Sequence, residues 1–336
     1  MKTIRCNFVD LWENPLEIGW IAPLLSEYDL VIDEKNPDYL FYSCFGNKHL
    51  QYNNCIKIFL CGENILPDFN LCDYALSLST IDYADRTFRI RIPNFYEYEQ
   101  LKRHLDADTL LNRRFCNFVY RNSNADPIRV RFFQELSKYK KVDSASSLMN
   151  NMEGPVSLPT NDDLMDFQRQ YKFTIAMENS SFPGYITEKI LHPFLAMSLP
   201  IYWGAPNISS DYNPNSFVNI MDYSSVEEAI EEVIRLDNDD AAYLEKMNTP
   251  FWNGDSFESF QQSETERLLA FYRHIFEQPK ENAFRRTSDG WMGVYTRDMQ
   301  EKNIEPTFAR LIKKNYKSCV RMVCKKVILF RLKIKK

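Results

Sequence analysis

Short apolar runs alternate with helix-spaced segments along this chain, and the alternation occurs twice. In the first stretch, IRCNFVDLW (4–12) reads as a strand and YDLVIDEKNPDYLFYSCFG (28–46) as two strands split by Asn36-Pro37. CIKIFLCGEN (55–64) is an apolar strand ending at Gly62-Glu63-Asn64, and DYALSLS (73–79) is another. Segments such as NPLEIGWIAPLLSEY (14–28) have helical spacing between them. Strands that alternate with helical stretches predict a parallel α/β sheet.

A polar stretch, 94–114, is expected to connect two halves, after which the pattern resumes. FCNFVYRN (115–122) reads as a strand, and DPIRVRFFQELSKY (126–139) as a helix with Pro127 in its first turn, where a missing N–H does no harm. KVDSAS (141–146) and YKFTIAME (171–178) are strands, TEKILHPFLAMS (187–198) is a helix, and LPIYWG (199–204) and SFVNI (216–220) are strands. SVEEAIEEVIRLD (225–237) spaces its apolar residues as one face of an acidic helix, and NDDAAYLEKMN and SETERLLAFYRHIFEQ (263–278) add further helices. The 336 residues suffice for two domains of ordinary size. Units at 1–105 and 106–300, with a tail at 301–336, are therefore expected, and two α/β halves form a cleft at the carboxyl ends of their strands.

Composition narrows the options. At 44% hydrophobic the chain supports a sizeable core, and with only 9 Gly a long glycine-rich phosphate loop is not expected. The eight cysteines include no CxxC and no histidine spacing suited to zinc. The N-terminal MKTIRCNFVDLWENP is too polar for a secretory signal, and no window approaches the roughly 18 apolar residues of a membrane span. Reduced thiols in a cytoplasmic protein are the expectation.

MENSSFPGYITEKI (177–190) places Glu178, Asn179, Tyr185, Glu188 and Lys189 between two apolar runs. Thr187 is suited to cap a helix beginning at Glu188, and a helix N-terminus with a lysine in its first turn suits a diphosphate. A carboxylate beside that lysine is out of place for bare phosphate but accepts hydrogen bonds from hydroxyls. The cluster therefore reads as a site for a nucleotide sugar. It fits equally an exposed helix start that serves stability alone. Pro193 would be the sixth residue of this helix, where it removes a hydrogen bond and crowds the preceding turn. Either the helix is kinked there, or it starts later and Glu188 and Lys189 lie on a loop. Glu63, just after an apolar strand, fits a helix-start cap on residues alone.

The 36 residues YKFTIAMENSSFPGYITEKILHPFLAMSLPIYWGAP (171–206) resemble the signature of the α-1,3/4-fucosyltransferases, glycosyltransferase family ten. Weaker likeness runs from about Asp38 to Tyr243, through IFLCGENILPDFNLCDYALS (58–77) and FVYRNSNADPIRVRFFQEL (118–136), and it is closest to the bacterial, Helicobacter-like branch. The resemblance implies a GT-B fold: two Rossmann-like domains facing a central cleft, with the acceptor on 1–105 and GDP-β-L-fucose mainly on 106–300. It implies an inverting transfer to O3 of GlcNAc in a Galβ1-4GlcNAc-type glycan, a Lewis x type product, with no essential divalent metal and no other cofactor. An α-1,4 or dual-specificity enzyme, one using another GDP-sugar, and a non-catalytic GDP-sugar- or carbohydrate-binding relative are the alternatives.

Roles follow by position from the resemblance. Lys189 and Arg129 match the residues that hold the donor diphosphate, Glu188 the carboxylate on the fucose hydroxyls, and Asn179 and Tyr185 the walls of the donor pocket. Glu63 matches the proposed general base, whose pKa burial could raise toward working pH. An ordinary helix salt bridge is the other reading of Arg129, and orientation of the loop is the reading of Glu178. The strings Asp106-Ala-Asp108 and Asp237-Asn-Asp239 read as solvated surface rather than metal ligands. The disulfide motif and membrane anchor of animal members and the heptad repeats of some bacterial ones are not visible.

The net charge of −5 hides an asymmetry: residues 310–336 hold eleven Lys or Arg and no acid, leaving 30 basic against 46 acidic residues before them. This basic, amphipathic tail is expected to contact anionic lipid at the inner face of the cytoplasmic membrane. Its apolar share and the acidic body argue against nucleic acid as its partner.

Overall fold

The computed structural model describes residues 1–11, 14–91, 106–154, 156–253 and 257–304. The first half carries β1 (Lys2–Val9), β2 (Tyr28–Ile32), β3 (Tyr39–Tyr42), β4 (Ile56–Cys61), β5 (Tyr74–Ser77) and β6 (Thr87–Arg89). The second carries β7 (Arg114–Phe118), β8 (Val142–Ser144), β9 (Tyr171–Met177), β10 (Leu199–Trp203) and β11 (Val218–Asn219). The helices are α1 (Ala107–Leu111), α2 (Ile128–Leu136), α3 (Asn161–Gln168), α4 (Glu188–Leu195), α5 (Val226–Asn238), α6 (Asp240–Asn248), α7 (Phe257–Glu277), α8 (Lys280–Ala283) and α9 (Gly290–Ile304).

Both sheets are parallel, with orders β2-β1-β3-β4-β5-β6 and β11-β10-β9-β7-β8. Counted from the first strand of each half, both read 2-1-3-4-5, and β6 extends the first by one edge strand. The direction of winding therefore reverses between β1 and β3 and between β7 and β9, and crevices open at the carboxyl ends beside such reversals. The central strands β4 and β9 are buried at every residue, as expected for strands covered on both faces.

Several elements differ from expectation. Residues 14–28 form two short 3₁₀ turns, Pro15–Glu17 and Ala22–Ser26, rather than one helix, and each has a proline at its start. The strands at 115–122 and 216–220 are shorter, ending at Phe118 and Asn219. Both β6 and α3 escape the apolar pattern. A capping box marks α3, with Thr160 Oγ1 accepting from Asp163 N at 3.1 Å and the Asp163 carboxylate accepting from Thr160 N at 3.1 Å.

The chain returns to its first half after α6. Helix α7 falls within 106–300, yet Leu268, Tyr272, Ile275 and Phe276 are buried in one cluster with Ile4, Phe41, Ile58 and Leu76 of the first sheet. Burying a large apolar side chain of this kind stabilises by about 1.5–3 kcal/mol. Tyr272 donates to the Trp20 carbonyl at 2.8 Å, and Lys2 Nζ donates to the Phe276 carbonyl at 2.6 Å. The expected boundary at residue 105 and the basic stretch 310–336 lie outside the described residues. No described helix is long and apolar enough to cross a membrane.

Asp106 and Asp239 are exposed caps of α1 and α6, as expected of surface acids. Asp237 is not solvated: its side chain is 4% exposed and pairs with Lys172 at 3.2 Å and with Lys140. Burial raises its carboxyl, but the two lysines outweigh that and hold it below its usual value. Lys172 is itself buried, so Asp237→Ala strands a buried cation. Thermal or denaturant unfolding should show a loss of about 3–5 kcal/mol, whereas an exposed pair would give under about 1 kcal/mol.

Candidate functional site

A cleft of 990 Å³ opens between the halves. Glu17, Ile18, Gly19 and Trp20 line one side, contributed by the first half. Opposite them are the loops after β7 and β9, on either side of the reversal in the second sheet, together with α3 and the start of α4. Arg129, Asn179, Glu188 and Lys189 all line this cleft. Glu63 and Tyr185 are not among its lining residues; they form a second group at its side of the molecule, between the loop after β4 and the loop before α4.

Helix α4 starts at Glu188, so the helix-start alternative is the one observed, with Pro193 inside the helix. Thr187 is the cap, its hydroxyl 3.4 Å from Lys189 N. The same hydroxyl donates to Glu178 Oε2 at 2.8 Å and accepts from Lys189 Nζ at 3.0 Å. Glu178 is fully buried and also accepts from Thr187 N at 2.7 Å, so it orients the loop, as expected. Gly204 leaves room for it: a Cβ there would come within 2.5 Å of Glu178 Cγ.

Lys189 is the centre of this charge cluster. Its Nζ is 3.4 Å from Glu178 Oε2 and 3.3 Å from Glu188 Oε1. Burial pulls the ammonium down, but the two carboxylates outweigh it and leave it raised, so it is charged at any physiological pH. Burial pushes Glu178 up, with Lys189 pulling the other way. For Glu188 burial also pushes upward, and Lys189 and His192 overcome it and lower the carboxyl. The side chain of Glu188 is 43% exposed and that of Glu178 is 0% exposed. Glu188 can therefore swing away from Lys189, while Glu178 cannot.

Arg129 is 1% exposed. Its guanidinium donates to the Asn122 carbonyl at 3.4 Å, to the Met177 carbonyl at 2.9 Å and to Asn179 Oδ1 at 2.9 Å, and lies 4.1 Å above the Tyr120 ring. Among the described residues it makes no helix salt bridge of the kind considered from sequence. It fastens Asn179 and the end of β9, with Nε lacking a hydrogen-bond partner among the described residues.

Tyr185 comes from the second half but packs in the apolar cluster of the first sheet, 2% exposed. Its hydroxyl donates to Glu63 Oε2 at 3.2 Å. Glu63 itself is exposed rather than buried, and no helix starts at it. Next to it, Asn64 Nδ2 donates to Ser180 Oγ at 2.7 Å, a second link across the halves. Gly184 lets the connecting loop pass: its φ is +85°, and a Cβ would lie 2.5 Å from the Leu78 carbonyl oxygen.

Sequence reasoning missed Tyr120, Trp20 and Gln168. Tyr120 donates to the Ile175 carbonyl at 2.9 Å, accepts from Met177 N at 2.6 Å, and supports Arg129 from below. An aromatic residue just past a strand carries no signal that separates this role from core packing. Gln168 lines the cleft while buried, and its Oε1 has no hydrogen-bond partner among the described residues. The described residues contain no group of three or more His, Cys, Asp or Glu suited to a metal ion.

Residues 6–98 match the N-terminal domain of α-(1,3)-fucosyltransferase FucT, and residues 112–267 match the C-terminal region of glycosyltransferase family 10 (fucosyltransferase). The chain is 30% identical over 299 residues to α-(1,3)-fucosyltransferase FucT of Helicobacter pylori, covering 76% of this chain and 61% of that protein. It is 34% identical over 148 residues to GDP-fucose protein O-fucosyltransferase 3 of Homo sapiens, covering 41% of this chain and 31% of the human one. It thus spans under two thirds of the length of these relatives. A crystal structure of α1,3-fucosyltransferase and one of α1,3-fucosyltransferase with GDP-fucose match at TM-scores of 0.69 and 0.66 with 26% identity. They cover 82% and 83% of this chain and 91% and 92% of theirs, and the two parallel α/β sheets agree with the GT-B expectation.

Proposed function

Since the chain belongs to glycosyltransferase family 10, the fucosyltransferases of the Helicobacter type, we propose that it transfers L-fucose from GDP-β-L-fucose to a glycan hydroxyl with inversion. The observation that carries the reading is the Glu178–Lys189–Glu188 cluster at the start of α4, opening on a cleft large enough for a nucleotide sugar.

In this reading the diphosphate takes the ammonium of Lys189. Glu188, partly exposed and paired with that lysine, then turns to the fucose hydroxyls. Glu178 stays, because buried it has nowhere to go, and it keeps Lys189 aimed at the cleft. Arg129 positions Asn179 and adds positive charge to the wall that faces the leaving GDP. Glu63 accepts the proton of the acceptor hydroxyl as that oxygen attacks the anomeric carbon and the bond to GDP breaks. Tyr185 holds one carboxylate oxygen of Glu63, which leaves the other for the proton. Negative charge on the departing diphosphate is met by Lys189 and the α4 N-terminus, so no divalent metal is required.

The acceptor we propose is O3 of GlcNAc in a Galβ1-4GlcNAc unit. Incubation of the enzyme with GDP-fucose and N-acetyllactosamine, with and without EDTA, should give one fucosylated product by mass spectrometry in equal amounts. Loss of product in EDTA would refute metal independence. No product and no GDP-fucose binding would refute the assignment itself.

A further inference from the structure

We propose that Cys44 and Cys61 are a modification site, oxidised reversibly to a disulfide by a small-molecule disulfide of the glutathione class, and that the bond disengages the Glu63 loop. The observation is a juxtaposition of thiols built by the sheet. Parallel neighbours β3 and β4 pair Tyr42 with Phe59, so two residues further on Cys44 stands opposite Cys61 on the same face. Their sulfurs are 3.6 Å apart, in an apolar cluster with Tyr42 and Phe59. Neighbouring strands lie about 4.8 Å apart, within the Cα range a disulfide accepts, so the bond closes with roughly 1.5 Å of sulfur movement.

The same Cys61 sulfur holds the base loop. It accepts from Glu63 N at 3.4 Å and donates to the Glu63 carbonyl at 3.6 Å. Bonding to Cys44 draws it away and removes its S–H, so both contacts are lost together. Cys44 is partly exposed and Cys61 is fully buried, which sets the order of events. Burial pushes the Cys61 thiol up to about 12, so Cys44 is the first nucleophile.

The Cys44 thiolate attacks one sulfur of the reagent, forming a mixed disulfide and expelling one thiolate. Cys61, giving its proton to solvent, then attacks the Cys44 sulfur and expels the second. Two protein thiols and one reagent disulfide become one protein disulfide and two reagent thiols; the protein loses two electrons and the reagent gains them.

The effect on turnover rests on the reading of Glu63 as the base, but the bond itself does not. Full-length enzyme is treated with oxidised glutathione or dithiothreitol, remaining thiols are alkylated, and peptides are mapped. A 44–61 crosslink is expected, with turnover lowered about tenfold or more, donor affinity unchanged, and full recovery in dithiothreitol. Cys44→Ser should keep the reduced rate and ignore the oxidant. Glutathione left on Cys44 without a crosslink, or a crosslink that leaves turnover unchanged while reduced Glu63→Gln is inactive, overturns the proposal. Reduced Glu63→Gln separates the two readings. If it turns over normally, the base reading fails, and a crosslink that forms without inhibiting leaves the thiol pair standing; if it is inactive and no crosslink forms, the thiol pair fails alone.

Discussion

Glu63→Gln is expected to lower turnover by about 10²–10⁴-fold with GDP-fucose affinity unchanged, the range that a positioned general base contributes. Glutamine keeps the size of the side chain and can still accept from the Tyr185 hydroxyl, but it cannot take a proton. The Asn64–Ser180 bond that fixes the loop is untouched. Initial rates measured beside donor titration calorimetry make the test. A variant within about threefold of the parent rate removes Glu63 from the mechanism, and a loss of donor affinity to match the rate would instead mean the loop had collapsed.

The second large effect is at Lys189. Lys189→Met should weaken GDP-fucose binding by about 100-fold or more, because it removes a full positive charge at the mouth of α4 and leaves two carboxylates facing the diphosphate. It should also destabilise the unliganded protein by about 3–5 kcal/mol, since Glu178 is buried and loses its counter-charge. The two effects separate in the double variant with Glu178→Gln. An uncharged amide in place of the carboxylate should recover most of the melting temperature and none of the donor affinity. Recovery of both would mean that Lys189 matters only to the fold.

Most strands of both sheets were legible because parallel strands covered on both faces are largely apolar runs, as IKIFLC (56–61) is apart from Lys57 and YKFTIAM (171–177) is apart from Lys172 and Thr174. The start of α4 was legible because Thr187 is an N-cap residue at the end of a loop. What failed had weak local signals. β6 is three residues, TFR, with no buried side chain. Residues 14–28 have helical spacing, but Pro15 and Pro23 divide them into separate turns. Asp237 looked like a solvated acid because nothing nearby in sequence shows Lys140 and Lys172 closing on it from other elements. Tyr185 is the instructive case at the site. Its place in the motif suggested a wall of the donor pocket, but its ring is set in the core of the opposite half and its hydroxyl reaches Glu63. Only a long-range contact decides between those positions, and one sequence does not contain it.

The return of α7 to the first sheet makes the polypeptide cross between the halves twice, once between β6 and β7 and once between α6 and α7. One crossing would be a tether and would leave the halves free to wander. Two crossings restrict that movement more than one does. The halves are fastened further where Tyr185 enters the core of the first sheet and where Asn64 meets Ser180 and Arg89 meets Asp211, so the two walls of the cleft are held in one register.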